Sequence, residues 1–181
     1  MERKIQLALI YGSTREGRFC DKVARWAIAE IERHGAFALD VIDPAAPEFG
    51  RHALAPRIGR ADGFVVVTPE YNHSYPAPLK ALIDSIKKEW QAKPVAFVSY
   101  GGISGGLRAV EHLRLVFAEL HAIGIRDSVS FAHARDRFDA EGGLHDPEAA
   151  RQAMATMLAR LAWWATALRH ARAANPYEVA A

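Results

Sequence analysis

Short apolar runs of strand length alternate along the chain with longer stretches whose apolar residues recur at helical spacing. The first run, residues 4–11 (KIQLALIY), leads into a helix from about Phe19 to Arg33, where Val23, Ala27, Ile28 and Ile31 share one face and charged residues the other. A second strand, Ala38–Ile42, ends at Asp43-Pro44. The segment from there to Pro56 holds three prolines and reads as an irregular surface loop, followed by a short helical turn at Arg57–Ala61. The third strand, Gly63–Thr68, is rich in β-branched residues, as a central buried strand should be, and stops at Pro69 because proline cannot donate to the ladder. A helix over Ala77–Lys88, a strand at Val95–Tyr100, a helix over Leu107–Ala122 and a strand at Ser128–Ala132 follow. A polar loop with Gly142-Gly143 then precedes a long helix, Pro147–Ala173. Five strand and helix pairs of this kind predict an α/β protein, a parallel sheet covered by helices on both faces. No repeat or linker divides residues 1–181, so one domain is expected.

Composition narrows the partners. A formal net charge of +2 comes from mixed signs spread along the chain, without the basic block that tracks nucleic acid. Cys20 is the sole cysteine, which excludes an internal disulfide framework or a cysteine zinc cluster within one chain and suits a reducing compartment. Charges at Glu2, Arg3 and Lys4 precede only a short apolar stretch, unlike a signal peptide. Arg160 and Arg169 interrupt the most apolar C-terminal stretch, so no membrane span is expected, and the cytoplasm is the simplest address.

In parallel sheets of this class, ligands collect outside the carboxyl ends of the strands, where the winding direction reverses. Three loops leave strands at that edge: Gly12–Arg18, Pro69–Pro76 and Ser99–Gly106. With a sheet order of 2-1-3-4-5, the first two flank one crevice. The Gly12–Arg18 loop sets the hydroxyls of Ser13 and Thr14, and Arg15 or Arg18, beside unpaired N–H groups at a helix start. That is a seat for a terminal phosphate; an ordinary strand-to-helix turn with solvated arginines is the plainer alternative. Its glycine spacing matches neither a GxGxxG turn nor a P-loop, which disfavours nucleotide hydrolysis. In the Pro69–Pro76 loop, Tyr71 or Tyr75 can cover a planar heterocycle while amides near Asn72 donate to its edge; the alternative is a rigid surface turn. Glu70, with no second carboxylate at a suggestive spacing, reads as a rim charge. The glycines at 101, 102, 105 and 106 let backbone approach a flat ligand, or simply make a flexible connector. Cys20 reads as a small residue at a helix start, since no neighbouring base or thiol supports reactivity.

Gly12-Ser13-Thr14-Arg15-Glu16-Gly17-Arg18, then Pro69-Glu70-Tyr71-Asn72 continuing to Pro76, Leu79, Lys80 and Asp84, and the Gly101–Gly106 turn followed by Leu107-Arg108-Ala109 make one set. With them the chain resembles, over almost its whole length, the NADPH-dependent FMN reductase family, a flavodoxin-like group that includes quinone, chromate and azo-compound reductases. The resemblance implies a flavodoxin-like three-layer sandwich with a five-stranded parallel sheet of order 2-1-3-4-5. It implies that Ser13, Arg15 and Arg18 hold the FMN phosphate, with Phe19 and Cys20 beside them, and that Pro69, Glu70, Tyr71, Asn72, Ser99, Gly101 and Gly102 border the isoalloxazine. Many relatives carry serine and asparagine where this chain has Arg18 and Cys20. The implied reaction passes hydride from NADPH or NADH to flavin N5 and then electrons to a quinone, free flavin, azo dye or metal oxyanion, with no side chain as catalytic acid. A flavin-binding electron carrier or regulatory module of the same fold is the alternative, and the nearly balanced charge leans toward the enzyme. A homodimer or homotetramer is also implied, for which Trp90, Trp163 and Trp164 are either interface groups or core.

Eight scattered histidines show no metal-ligand spacing, so no metal site is expected, although His73 falls inside the proposed ring-binding loop. A hydrolase would pair Ser74 or Ser104 with a histidine, but Gly102-Ile103-Ser104-Gly105 is offset by one position from a Gly-x-Ser-x-Gly elbow.

Overall fold

Five strands form one parallel sheet: Ile5–Tyr11 (β1), Phe37–Ile42 (β2), Gly63–Pro69 (β3), Pro94–Tyr100 (β4) and Ile123–Phe131 (β5). Their order in space is β2-β1-β3-β4-β5, the flavodoxin-like winding expected. The computed structural model describes residues 3–46 and 51–177. Alternation along the central strands divides the core in two. Leu7, Leu9, Val65, Val67, Ala96 and Val98 face helices Cys20–His34 (α1) and Glu148–Ala174 (α6). Ala8, Ile10, Phe64, Val66, Val95 and Phe97 face Arg51–Arg60 (α2), Ala77–Asp84 (α3) and Leu107–Glu119 (α4). Burial on both faces is why these strands read as unbroken apolar runs.

Four elements depart from the sequence-based expectation. The proline-bearing segment expected as loop up to Pro56 is helical from Arg51, with Pro56 inside α2, while residues 47–50 lie outside the described residues. Leu54 and Ile58, one turn apart and both fully buried, anchor that helix to the sheet, which offsets the hydrogen bond Pro56 cannot make. The helix begun at Ala77 ends at Asp84 rather than Lys88, and a 3₁₀ turn at Lys88–Trp90 follows. That break lets Trp90 enter the core between Phe64 and Phe117, its Nε1 donating to the Ile83 carbonyl at 3.1 Å. Trp90 is thus a core residue, whereas Trp163 remains 64% exposed. β5 starts at Ile123, five residues before the expected Ser128, because a register shift between Val95 and Phe97 absorbs extra residues on this edge strand. A short helix, Ala134–Arg137 (α5), lies in the stretch expected as loop.

Candidate functional site

The carboxyl ends of β1, β3, β4 and β5 surround a cavity of about 480 Å³. Its lining comes from Arg15–Phe19, Pro69–Tyr71, Tyr100–Gly102 and His133–Asp136. The first wall begins at Gly12, whose N–H donates to the Val67 carbonyl at 2.7 Å and extends the β1–β3 pairing. Beyond it the chain turns sharply, and the Ser13 hydroxyl, fully buried, shares a 2.9 Å hydrogen bond with the Tyr71 hydroxyl. This bond joins the loop after β1 to the loop after β3. Arg15 lays its guanidinium carbon 3.7 Å from the centre of the Tyr71 ring, a cation–π stack on the cavity wall.

Arg18 is deployed differently. Its Nε donates to Asp21 at 2.8 Å, its Nη1 to the Ser13 carbonyl at 2.6 Å and to Asp43 at 2.8 Å, and its Nη2 pairs with the other Asp43 oxygen. Hydrogen bonding to Asp43 raises its pKa further and in turn, despite the burial of Asp43, holds that carboxyl below its usual range, so both partners are charged at neutral pH. Arg18 therefore braces the loop from beneath while only its edge lines the cavity. Phe19 occupies the N-cap of α1 and offers no side-chain acceptor, which leaves the start of that helix uncapped beside the cavity. Cys20 is fully buried, its Sγ 3.6 Å from the Val67 carbonyl, and burial pushes the thiol up to about 11, so it is inert near neutral pH.

The loop after β3 is a tight turn. Tyr71 and Ser74 exchange backbone hydrogen bonds of 2.8 and 3.1 Å around Asn72 and His73, both left-handed with φ of 49° and 72°. Two positive φ values in sequence define a type I′ turn, where asparagine is favoured. Asn72 is exposed and outside the cavity lining. Glu70, expected as a rim charge, is instead a buried tie: its carboxylate, 7% exposed, accepts from the Ser104 hydroxyl at 2.7 Å and from the Arg108 N–H at 3.2 Å. It also forms an ion pair with the Arg108 guanidinium at 2.7 Å. The loops after β3 and β4 are clamped together by this one side chain.

The loop after β4 depends on Gly105 and Gly106, both left-handed, and a Cβ at Gly106 would lie 2.8 Å from the Ser99 Cβ. Ser99 is fully buried and donates to the Gly105 carbonyl at 2.8 Å, so it shapes this loop from below and does not line the cavity. Gly102, by contrast, has open space where a Cβ would stand. Tyr100 lines the cavity, and its buried hydroxyl faces the Cys20 thiol; burial raises its pKa, which keeps it protonated.

Of the twelve residues singled out in the sequence, Arg15, Arg18, Phe19, Pro69, Glu70, Tyr71, Gly101 and Gly102 line the cavity, and Ser13, Cys20, Asn72 and Ser99 stand behind it or outside. The fourth wall, His133–Asp136, carries no motif. It is tied in by His133 N–H to the Gly102 carbonyl at 2.8 Å and Ala134 N–H to the Gly101 carbonyl at 3.1 Å. Only the adjacency of β5 to β4 points to it. Ser74 does meet a histidine, His112 Nδ1 at 2.8 Å, but the pair is exposed and no carboxylate partner for that ring occurs among the described residues. Among the described residues no three His, Cys, Asp or Glu side chains converge as a metal site would need, and no helix is long and apolar enough to cross a membrane.

This arrangement has relatives. The model of the family described as NADPH-dependent FMN reductase matches residues 5–136. An NAD(P)H-dependent FMN reductase of Schizosaccharomyces pombe is 36% identical over 120 residues, 56% of this chain and 60% of that protein. A quinone reductase of Escherichia coli K12 is 35% identical over 143 residues, 68% of this chain and 74% of its own length. Among solved structures, the flavoenzyme NAD(P)H:(acceptor) oxidoreductase FerB from Paracoccus denitrificans superposes with a TM-score of 0.71 at 21% identity, covering 90% of this chain and 98% of FerB. The fold is shared at that distance, and the sequence matches carry the kinship further. With its 2-1-3-4-5 sheet and its cavity walled by the loops after β1, β3 and β4, the chain belongs to the NADPH-dependent FMN reductase family.

Proposed function

We propose that this chain, acting as one domain in the cytoplasm, is an FMN-dependent oxidoreductase that takes reducing equivalents from NADPH or NADH and delivers them to a small acceptor such as a quinone. The observation that carries this reading is the Ser13–Tyr71 hydrogen bond, which brings an anion seat and an aromatic wall into one cavity. The residues present suit the flavin. Gly102 leaves room for a flat ring system, and the volume falls in the usual range of roughly 300–1,000 Å³ for cofactor sites.

When bound, FMN supplies the hydride and electron chemistry, which no side chain here can supply. The chain's own part is to bind, orient and bias that group. The uncapped start of α1 with Arg15 suits the phosphate end. Pro69–Tyr71 and Gly101-Gly102 suit the ring end as walls: the N–H groups of Glu70, Tyr71 and Gly101 are bonded to the carbonyls of Tyr100, Ser74 and Phe131, which fixes the shape of that end, and Gly102 is the residue among them whose N–H is left to meet the ring. Cys20, buried and protonated, takes no part.

Anaerobic mixing of FMN-loaded protein with NADPH is expected to bleach the oxidised-flavin absorbance promptly. Persistence of the oxidised spectrum would remove the enzymatic reading and leave an electron carrier. We also propose a homodimer or homotetramer, on the ground that Trp163 and Trp164 stack edge to face at 5.1 Å on an exposed part of α6. Sedimentation should show an oligomer that Trp163→Ala shifts toward smaller species; identical sedimentation of the two proteins would relieve Trp163 of that role.

A further inference from the structure

Three arginines line the cavity, and they are not equivalent. Arg18 occupies the position that the sequence pattern assigns to the phosphate, yet two carboxylates, Asp43 and Asp21, already neutralise it, and its side chain is only 9% exposed. Arg15 is stacked on Tyr71, whose hydroxyl bonds Ser13, so it belongs to the phosphate end but is committed to an aromatic face. Arg135 is the third. It is exposed, and among the described residues no carboxylate pairs with it; its guanidinium carbon lies 5.7 Å from the centre of the Phe19 ring. Phe19 is the N-cap of α1, so Arg135 stands beside the uncapped helix start, where orphan N–H groups already favour an anion. The position is not a loose one. The two hydrogen bonds from His133 and Ala134 to the carbonyls of Gly102 and Gly101 fix the base of the turn, and buried Ala134 and Phe138 pin its two ends. Glu16 and Asp136 also line the cavity and would repel a phosphate, which leaves Arg135 and Arg15 as the cations able to offset them.

We propose that Arg135, on the turn after β5, binds the phosphate of FMN in this chain alongside Arg15, in place of the sequestered Arg18. The inference rests on the reading that the cavity holds FMN. A guanidinium suits the task because its planar donors can engage two phosphate oxygens at once.

The test compares FMN with riboflavin, which lacks the phosphate, by fluorescence titration of flavin-free protein. In the wild type FMN should bind the more tightly. Arg135→Ala should weaken FMN about 10- to 100-fold, the range for one charge-assisted hydrogen bond, and leave riboflavin unchanged. Arg135→Lys should recover part of the loss, since the charge survives without the fork. Arg18→Ala should weaken both flavins alike, because it releases the loop. The assignment is overturned if Arg135→Ala lowers both affinities equally, changes neither, or raises only the KM for NADPH, or if Arg18→Ala alone removes the preference for FMN. A wild type that binds neither flavin would instead overturn the cofactor reading itself.

Discussion

Replacing Glu70 by alanine is expected to lower the unfolding free energy by about 2–3 kcal/mol and to weaken flavin binding sharply. Glu70 carries three interactions at once: the Ser104 hydroxyl, the Arg108 N–H and the Arg108 guanidinium. Removing one member of a buried ion pair costs about 3–5 kcal/mol because the other charge is left without compensation. Arg108 is 41% exposed and recovers some solvation, which brings the cost to the bottom of that range or just below it. The functional loss follows from position, since Glu70 holds the loops after β3 and β4 in register across the cavity. Glu70→Gln retains an acceptor for Ser104 and should fall between wild type and alanine. Asn72→Ala is the contrasting case. Its cost is that of a left-handed residue without asparagine, about 1–2 kcal/mol, and the two backbone hydrogen bonds that close the turn between Tyr71 and Ser74 do not involve its side chain. Urea unfolding with parallel flavin titration separates the two. Near-wild-type stability of Glu70→Ala would refute the clamp, and loss of turnover in Asn72→Ala with flavin and loop intact would refute a purely backbone role for that residue.

What the sequence discloses and what it hides have the same physical origin. β1, β3 and β4 are buried on both faces, so each is an uninterrupted apolar run that periodicity cannot miss. β5 lies at an edge, and in Ile123–Asp127 only Ile125 is buried, beside a register shift, which leaves only the strand's second half legible. In α2, Leu54 and Ile58 carry a helical signal that Pro56 masks, and only tertiary burial shows which wins. The same logic applies to the site. The loops after β1, β3 and β4 advertise themselves through glycine, proline and tyrosine, residue types that turns and flat ligands require. The turn at His133–Asp136 requires none of them, because backbone hydrogen bonds to Gly101 and Gly102 place it, and its contribution emerges only once β5 is set beside β4. The burial of Glu70 is equally invisible, for its partner stands 38 residues further on.

Gly12→Ala and Gly102→Ala are expected to fail in opposite ways. A Cβ on Gly12 would lie 2.8 Å from the Val67 carbonyl oxygen and 2.9 Å from the Thr68 side chain, both on β3. Backbone of a paired strand cannot step aside as a flexible side chain would, so the ends of β1 and β3 must separate, breaking the 2.7 Å hydrogen bond from Gly12 to Val67. Overpacking of this kind costs about 1–3 kcal/mol, and a lost buried hydrogen bond adds about 1 kcal/mol. Because Ser13 is dragged away from Tyr71, flavin affinity should fall with stability. At Gly102 no atom lies within 4 Å of the added methyl group, so the fold should be indifferent. Its methyl would project where Gly102 lines the cavity, and affinity for both FMN and riboflavin should drop while the urea midpoint stays in place. If Gly102→Ala bound flavin as the wild type does, the ring would have to lie elsewhere along the cavity. If Gly12→Ala were as stable as the wild type, the contact between the ends of β1 and β3 would not be what shapes the crevice.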